Sequence, residues 1–312
     1  MLVCLLLLPG LFGCTSKDNT PLQVGTNLWP GYEPGYLAEQ HGYFADAPIR
    51  MRQFTSATEV LRAFRNQVVD VAALTLDEAL LLAADGTDIV VILVADISDG
   101  ADVIVARPGV NSVGDLAGQR VAVENTALGA YVLSRALALH GLDPASVDVV
   151  AMTVDESVSV YQQKRADAIV TFDPFRSELL KLGAQQIFSS REIPGEIVDV
   201  LVTRRSTLQQ RPEILKILAR GWLQGVDLIV QQPQLAGELI GSRLQLSPDE
   251  ALATFEGLQL PDAVSNRAML GGSEPQLLPT VQRLAELLLE KQLLSRSVAT
   301  QALLDDRLIP GD

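Results

Sequence analysis

Residues 102–107 read Asp-Val-Ile-Val-Ala-Arg, and residues 199–204 read Asp-Val-Leu-Val-Thr-Arg. Both fit D-V-[IL]-V-x-R, a β-branched run of the kind that packs into a buried strand. Between them, strand-like and helix-like segments alternate: "RVAVE", "LGAYVLSRALALHG", "VDVVAM", "SVSVYQQKR", "ADAIVTF", "PFRSELLKLG" and "QQIFS". The same alternation fills the chain before residue 102. "LQVGTNL", "IRMRQF", "DVAAL" and "IVVILVA" read as strands, and "EPGYLAEQHGYF", "ATEVLRAFRNQ" and "LDEALLLAADG" as helices. This pattern implies open, mostly parallel sheets with helices on both faces. Two matching strands that bracket the second block mark where the chain enters and leaves an inserted domain. A pair of crossings makes a hinge, and a hinge between α/β lobes makes a closable cleft. On this reading the two strands lie side by side between the lobes. Residues 22–101 and 205–312 then form lobe 1, and residues 102–204 lobe 2. The competing reading is two unrelated strands of common composition. From 206 onward the pattern is almost wholly helical.

Composition narrows the function. A chain of 312 residues with 48% hydrophobic and 20% charged residues is an ordinary globular protein with room for large cores. Its net charge of −14 argues against nucleic acid and against electrostatic docking on anionic lipid, both of which need basic patches. The two cysteines, Cys4 and Cys14, both precede the globular body, which is left without a thiol for a disulfide, zinc site or nucleophile. His41 and His140 are the only histidines, which disfavours His-based metal or triad chemistry. No metal and no cofactor is expected.

The N-terminus accounts for the cysteines. "LVCLLLLPGLFG" has the length of a signal-peptide apolar region and is too short for a stable membrane span. Leu11-Phe12-Gly13-Cys14 resembles a bacterial lipobox, which implies a signal peptide over 1–13, lipidation of Cys14 and a tether over 14–21. A buried N-terminal strand or helix is the competing reading. No Lys or Arg precedes the apolar run, which points to a translation start upstream of Met1. Thr15 rather than Asp after the cysteine inclines the anchor towards the outer membrane of a Gram-negative host.

In order along the chain come "GTNLWPGYEPGYLAEQHGYF", "FTSATEVLRAFRNQVVDVAALTLDEAL", "VGDLAGQRVAVENTALGAYVLSRAL", "ADAIVTFDPF" and "RPEILKILARGWLQGVDLIVQQPQLAGELI". This order of features resembles a periplasmic solute-binding protein of an ABC importer. More narrowly, it is similar to the family serving nitrate, sulfonates, taurine and thiamine pyrimidine precursors. The resemblance implies a two-lobed, type II-like periplasmic-binding-protein fold: two open sheets joined by two hinge strands, with a helical C-terminal part. The ligand is expected at strand C-terminal ends between the lobes, as the general rule for open parallel sheets also requires.

Candidate ligand-binding residues follow from that rule. Trp29 and Tyr32 follow the first strand on a Pro-Gly turn, where rings can wall a ligand site at low entropy cost. A Trp packing under its own loop is the alternative. If Trp29 faces an open cleft, it packs little, and its loss leaves apo stability nearly unchanged. Thr55, Ser56 and Thr58 close the second strand and can cap the next helix. Thr75 and Asp77 end the third strand, and Ser98 and Asp99 precede the first crossing. Glu124, Asn125 and Thr126 open the "LGAY" helix, where Gly129 permits close backbone approach. Thr171 and Asp173 end "ADAIV", with Pro174 suited to a first helical turn, and Asp199 begins the return. Each of these is equally readable as a cap or a surface carboxylate.

Three functions stay open on these grounds. One is a lipid-anchored, monomeric carrier that delivers a solute to ABC permease subunits. A second is a ligand-presenting subunit of a membrane sensor. The third is a small-molecule enzyme on the same fold, such as a pyrimidine synthase or lyase. The enzyme is disfavoured because the candidate residues include no Cys, His or Lys. The candidate loops carry no Lys or Arg, and they do carry Asp77, Asp99, Asp102, Glu124 and Asp173. That balance points to a nitrogen-containing ligand that is neutral, cationic or zwitterionic.

Overall fold

A computed structural model describes residues 20–124 and 127–311. Cys14, the apolar N-terminal run, Asn125 and Thr126 lie outside the described residues. The first block gives β1 (Leu22–Thr26), α1 (Glu33–Gln40), β2 (Ile49–Gln53), α2 (Ala57–Arg65), β3 (Val71–Thr75), α3 (Leu76–Ala84) and β4 (Ile89–Ser98). The second gives β5 (Val103–Ala106), β6 (Arg120–Glu124), α4 (Ala127–Leu139), β7 (Asp148–Met152), α5 (Ser157–Gln162), β8 (Ala168–Thr171), α6 (Phe175–Lys181) and β9 (Gln185–Ser189). The chain then returns through β10 (Val198–Arg204) and continues as α7 (Arg205–Gln210), α8 (Pro212–Gln231), α9 (Pro233–Leu244), α10 (Pro248–Ala253), β11 (Leu258–Gln259), α11 (Ala263–Leu270) and α12 (Leu278–Glu290). Proline in the first turn starts α8, α9 and α10, where its missing N–H costs no helical bond.

The two sheets repeat one plan. One runs β11-β4-β10-β3-β1-β2 and the other β7-β6-β8-β5-β9. With the short β11 set aside, β1, β2, β3, β4 and β10 correspond to β6, β7, β8, β9 and β5. Within each sheet the first three strands of a block pair in parallel, and the D-V-[IL]-V-x-R strand pairs antiparallel to both its neighbours. The sheets are therefore mixed, and the two matching strands do not lie side by side. They hold the same place in different sheets.

Physical reasons for the shared motif follow from that place. A strand arriving from the other lobe enters at the cleft end, so it runs against its neighbours. It is flanked on both edges and covered on both faces, and Val103–Ala106 and Val198–Thr203 are buried throughout. Its leading Asp, Asp102 or Asp199, sits at the cleft end. Its trailing Arg closes the far end of a helix. Arg107 lies 4.2 Å over the Tyr161 ring and donates to the Tyr161 and Ala166 carbonyls; Arg204 lies 4.1 Å over the Phe64 ring and donates to the Phe64 and Val69 carbonyls. Cations at helix C-termini also complement the macrodipole.

Because β10 belongs to the first sheet, the return passage is residues 190–197 rather than the strand 199–204. The two crossings, 99–102 and 190–197, do lie against each other. Ser98 and Ser190 hydroxyls are 2.8 Å apart, the Ser190 N–H donates to the Asp102 carbonyl at 2.9 Å, and the Ser98 N–H donates to Ile197 at 3.0 Å. The C-terminal helices pack chiefly on the first sheet. That region is helical except for β11, which extends the sheet along β4.

Helices α1 and α8 cross closely because glycines face the contact. A Cβ on Gly225 would lie 2.1 Å from the Pro34 carbonyl oxygen, and one on Gly221 would lie 2.5 Å from the Phe44 ring. Backbone cannot yield as a side chain does, so Gly225→Ala is expected to destabilise the protein by roughly 3 kcal/mol. Gly42→Ala, which meets nothing within 4 Å but has a φ of +79°, should lose only ~1 kcal/mol. Denaturant unfolding of both variants checks the ranking.

Candidate ligand cleft between the lobes

The loop after β1 is built for close approach. Trp29 is extended (φ −152°, ψ 131°) and Pro30-Gly31-Tyr32 forms one tight helical turn. The Trp29 indole Nε1 donates to Asp96 Oδ2 at 2.9 Å. A Cβ on Gly31 would lie 1.8 Å from that same oxygen, so glycine is required for the bond. The Tyr32 hydroxyl donates to Asp199 Oδ1. From the second lobe Phe172, just past β8, meets the Trp29 ring edge to face, with centroids 4.9 Å apart at 87°. Glu124 at the end of β6 lies beside the Ala57 N–H at the start of α2, a second contact across the cleft.

These contacts close the lobes on a cavity of about 20 Å³, lined from both sides. That is room for about one water, so a solute requires the lobes to part. Trp29, Tyr32, Thr75, Glu124 and Asp199 line it, as do Asn27, Ala57, Glu78, Leu128 and Phe172. None of these ten is Lys, Arg or His. A roomier groove of about 330 Å³ between α4 and α12, by Tyr131 and Arg283, lies away from the strand ends. Its Arg135 is engaged by Glu196 at 2.7 Å.

Carboxyls dominate the electrostatics. Burial pushes Asp77 up to about 6, Asp102 and Glu124 to about 7, and Asp96 to about 8. Burial, and after it neighbouring carboxylates, hold Glu78 and Asp199 well above the usual range. Among the described residues no group of three or more His, Cys, Asp or Glu is arranged to hold a metal ion.

The remaining sequence candidates lie outside the cavity lining. Asp77 is buried beside the cluster, in the first turn of α3. Ser56 is the N-cap of α2, accepting from the Glu59 N–H at 3.3 Å. Thr171 is buried behind Phe172, with its hydroxyl 3.5 Å from that of Ser157. Thr55 is exposed and Thr58 half-buried. Ser98 laces the crossings, and Asp99 accepts from Gln259 at 3.1 Å on their outer side. Asp173 caps α6 through the Ser177 N–H at 3.0 Å and faces Arg176 at 3.7 Å. Sequence reasoning missed Asp96, Glu78 and Phe172. Asp96 left a signal, a carboxylate directly after the apolar stretch Ile89–Ala95 and still within β4. Glu78 was hidden as the far half of the Thr75 capping box, with Thr75 N–H donating at 3.2 Å.

The NMT1-like family model matches residues 15–240. The chain belongs to the NMT1-like family. No curated protein matches it. Solved structures with the same fold include the alkanesulfonate-binding protein SsuA from Xanthomonas axonopodis pv. citri bound to MOPS. It is 17% identical, with a TM-score of 0.78 over 92% of this chain and 98% of the other. The periplasmic aliphatic sulphonate binding protein SsuA from Escherichia coli is 18% identical, with a TM-score of 0.75 over 91% and 97%. The desulfurization enzyme DSZB is 15% identical, with a TM-score of 0.68 over 92% and 97%. At these identities the likeness shows the fold: this NMT1-like chain has the two-lobed fold of periplasmic binding proteins, and that fold also houses an enzyme.

Proposed function

We propose that the protein is a lipid-anchored, extracytoplasmic solute-binding protein. It captures a small nitrogen-containing organic solute and hands it to the transmembrane subunits of an ABC importer. The observation that carries this reading is the cleft: two lobes on a double crossing, closed over aromatic rings and carboxyls with no basic side chain. Relatives of this fold named for sulfonates need donors or positive charge at the anion. A sulfonate among Glu78, Glu124 and Asp199 would oppose their ionisation further and be repelled by any that ionise, whereas cationic N–H groups would favour the ionised form and be held by it. Among the described residues the cleft lining holds no Cys, His or Lys for covalent or general-base work, which favours a carrier over an enzyme.

Calorimetric titration with amines, pyrimidines, other heterocycles, alkanesulfonates and nitrate tests the reading. Binding of a nitrogen-containing member supports it, and at 100 times its dissociation constant that ligand adds roughly 2.7 kcal/mol of stability. Tight binding of a simple sulfonate or nitrate alone overturns the ligand class. The anchor has its own test. Cys14→Ser is expected to move the protein from the membrane to the soluble fraction with its melting temperature unchanged. A variant that still pellets after a high-salt wash overturns the lipid anchor.

A further inference from the structure

The acidic cluster has a feature that burial alone does not explain. Asp77 Oδ2, Glu78 Oε1, Asp96 Oδ1, Asp102 Oδ2, Glu124 Oε1 and Asp199 Oδ2 are all buried and lack a hydrogen-bond partner. Elsewhere a deeply buried carboxylate is matched: Glu33, 1% exposed, is gripped by the Arg243 guanidinium, which also stacks 4.0 Å over the Tyr36 ring. Among the described residues the cleft lining holds no such arginine. Three of the six, Glu78, Glu124 and Asp199, line the cavity, and Glu78 and Asp199 are each only 2% exposed. One oxygen of Glu78 is engaged by the Thr75 N–H, and one of Asp199 by the Tyr32 hydroxyl. The other oxygen of each is left over.

We infer that the solute carries a compact organic cation, an ammonium, amidinium or guanidinium, seated between Glu78 and Asp199 beneath the Trp29 and Phe172 rings. This rests on the solute-binding reading above and narrows it. A buried acceptor without a donor is unfavourable, and a charged one more so. A neutral N–H would satisfy one oxygen and leave nothing to offset the charge of either carboxylate, so their ionisation would stay held up. A cation answers both, and aromatic faces add attraction to it. The held-up ionisation of Glu78 and Asp199 agrees: in the closed cleft nothing positive offsets their charge. A bare metal ion fits less well, since no three candidate ligands converge among the described residues.

Matched probes test this on the purified full chain by thermal shift and titration. Each set keeps one carbon skeleton: benzylammonium with benzyl alcohol and phenylmethanesulfonate, benzamidine with benzamide, methylguanidine with methylurea, and butylammonium with butanol and butanesulfonate. At least one cation is expected to bind while its neutral and anionic counterparts stay silent. Glu78→Gln and Asp199→Asn should each weaken that binding about thirtyfold or more. Both variants are isosteric and remove a repelled charge, so at pH 8 each should melt above the parent without ligand. That rise separates lost recognition from lost folding. Binding of neutral or sulfonate members equal to that of the cations overturns the inference and leaves a solute-binding protein. Stabilisation by magnesium or calcium chloride alone also overturns it. Silence of every class, heterocycles included, overturns the solute-binding reading itself.

Discussion

Thermal unfolding of the ligand-free protein is expected to move to lower temperature as the pH rises from about 4 to 8. Six cleft carboxyls have folded-state pKa values raised by burial: Asp77 to about 6, Asp102 and Glu124 to about 7, Asp96 to about 8, with Glu78 and Asp199 well above normal. Unfolding returns each group to water and to an ordinary carboxyl pKa. Between the two values the folded state binds more protons than the unfolded state, so stability falls with pH. Their contribution is fully present below about pH 4 and is lost as pH passes through the folded values. Groups lowered by hydrogen bonds and ion pairs, such as Asp167 beside Arg120 and Asp262 at the start of α11, act in the opposite sense. Their stabilisation is lost only below the ordinary carboxyl range, outside this window. Each tenfold rise in proton affinity on folding corresponds to ~1.4 kcal/mol, so the cluster should lose several kcal/mol across the window and the melting temperature about 10 °C or more. Calorimetric scans at pH 5 and pH 8 settle it. A flat or rising profile would mean that the cleft stands open and its carboxyls are hydrated. Ligand at pH 8 should recover most of the loss.

Replacing Trp29 is expected to damage both states. Its ring is 4% exposed, meets Phe172 across the cleft and holds Asp96 Oδ2. Trp29→Ala should cost roughly 3 kcal/mol of apo stability and weaken ligand binding by on the order of 2 kcal/mol or more. This corrects the expectation of a ring that packs little on an open loop. Trp29→Phe keeps the ring contact and removes the bond to Asp96, so it should lie between parent and Ala in stability. Unchanged apo stability in Trp29→Ala would show that the lobes are parted in solution.

Local periodicity makes the strands and helices of both blocks legible, because apolar alternation survives whatever the tertiary arrangement. Which sheet a strand joins is a long-range matter. Residues 199–204 read as the twin of 102–107, yet nothing within six residues says that the return strand slots between β3 and β4. The cleft is legible where chemistry sits at a strand end, as for Trp29, Tyr32 and Asp199. It is illegible where a residue serves two purposes. Glu78 reads as a helix cap, and Ser98 reads as a ligand group until its hydroxyl is found tying the crossings together. Asp96 escapes notice because it directly follows "IVVILVA", while Ser98 and Asp99, closer to the crossing, are the residues that the strand-end rule selects.

The place of β10 also fixes the order in which the molecule can assemble. Among the described residues it is the only strand joining β3 to β4. Until residues 198–204 have been synthesised, the first sheet is two fragments, β1-β2-β3 and β4, each with a bare edge. The second sheet is drawn entirely from residues 103–189, so it can form while the first still waits. Nucleation of the larger lobe thus depends on contacts more than a hundred residues apart, such as Asp199 with Thr75, which slows folding. A late keystone thus keeps the first lobe unfinished until the return strand has been made. For a protein proposed to cross a membrane before it works, that delay is time in which export can begin.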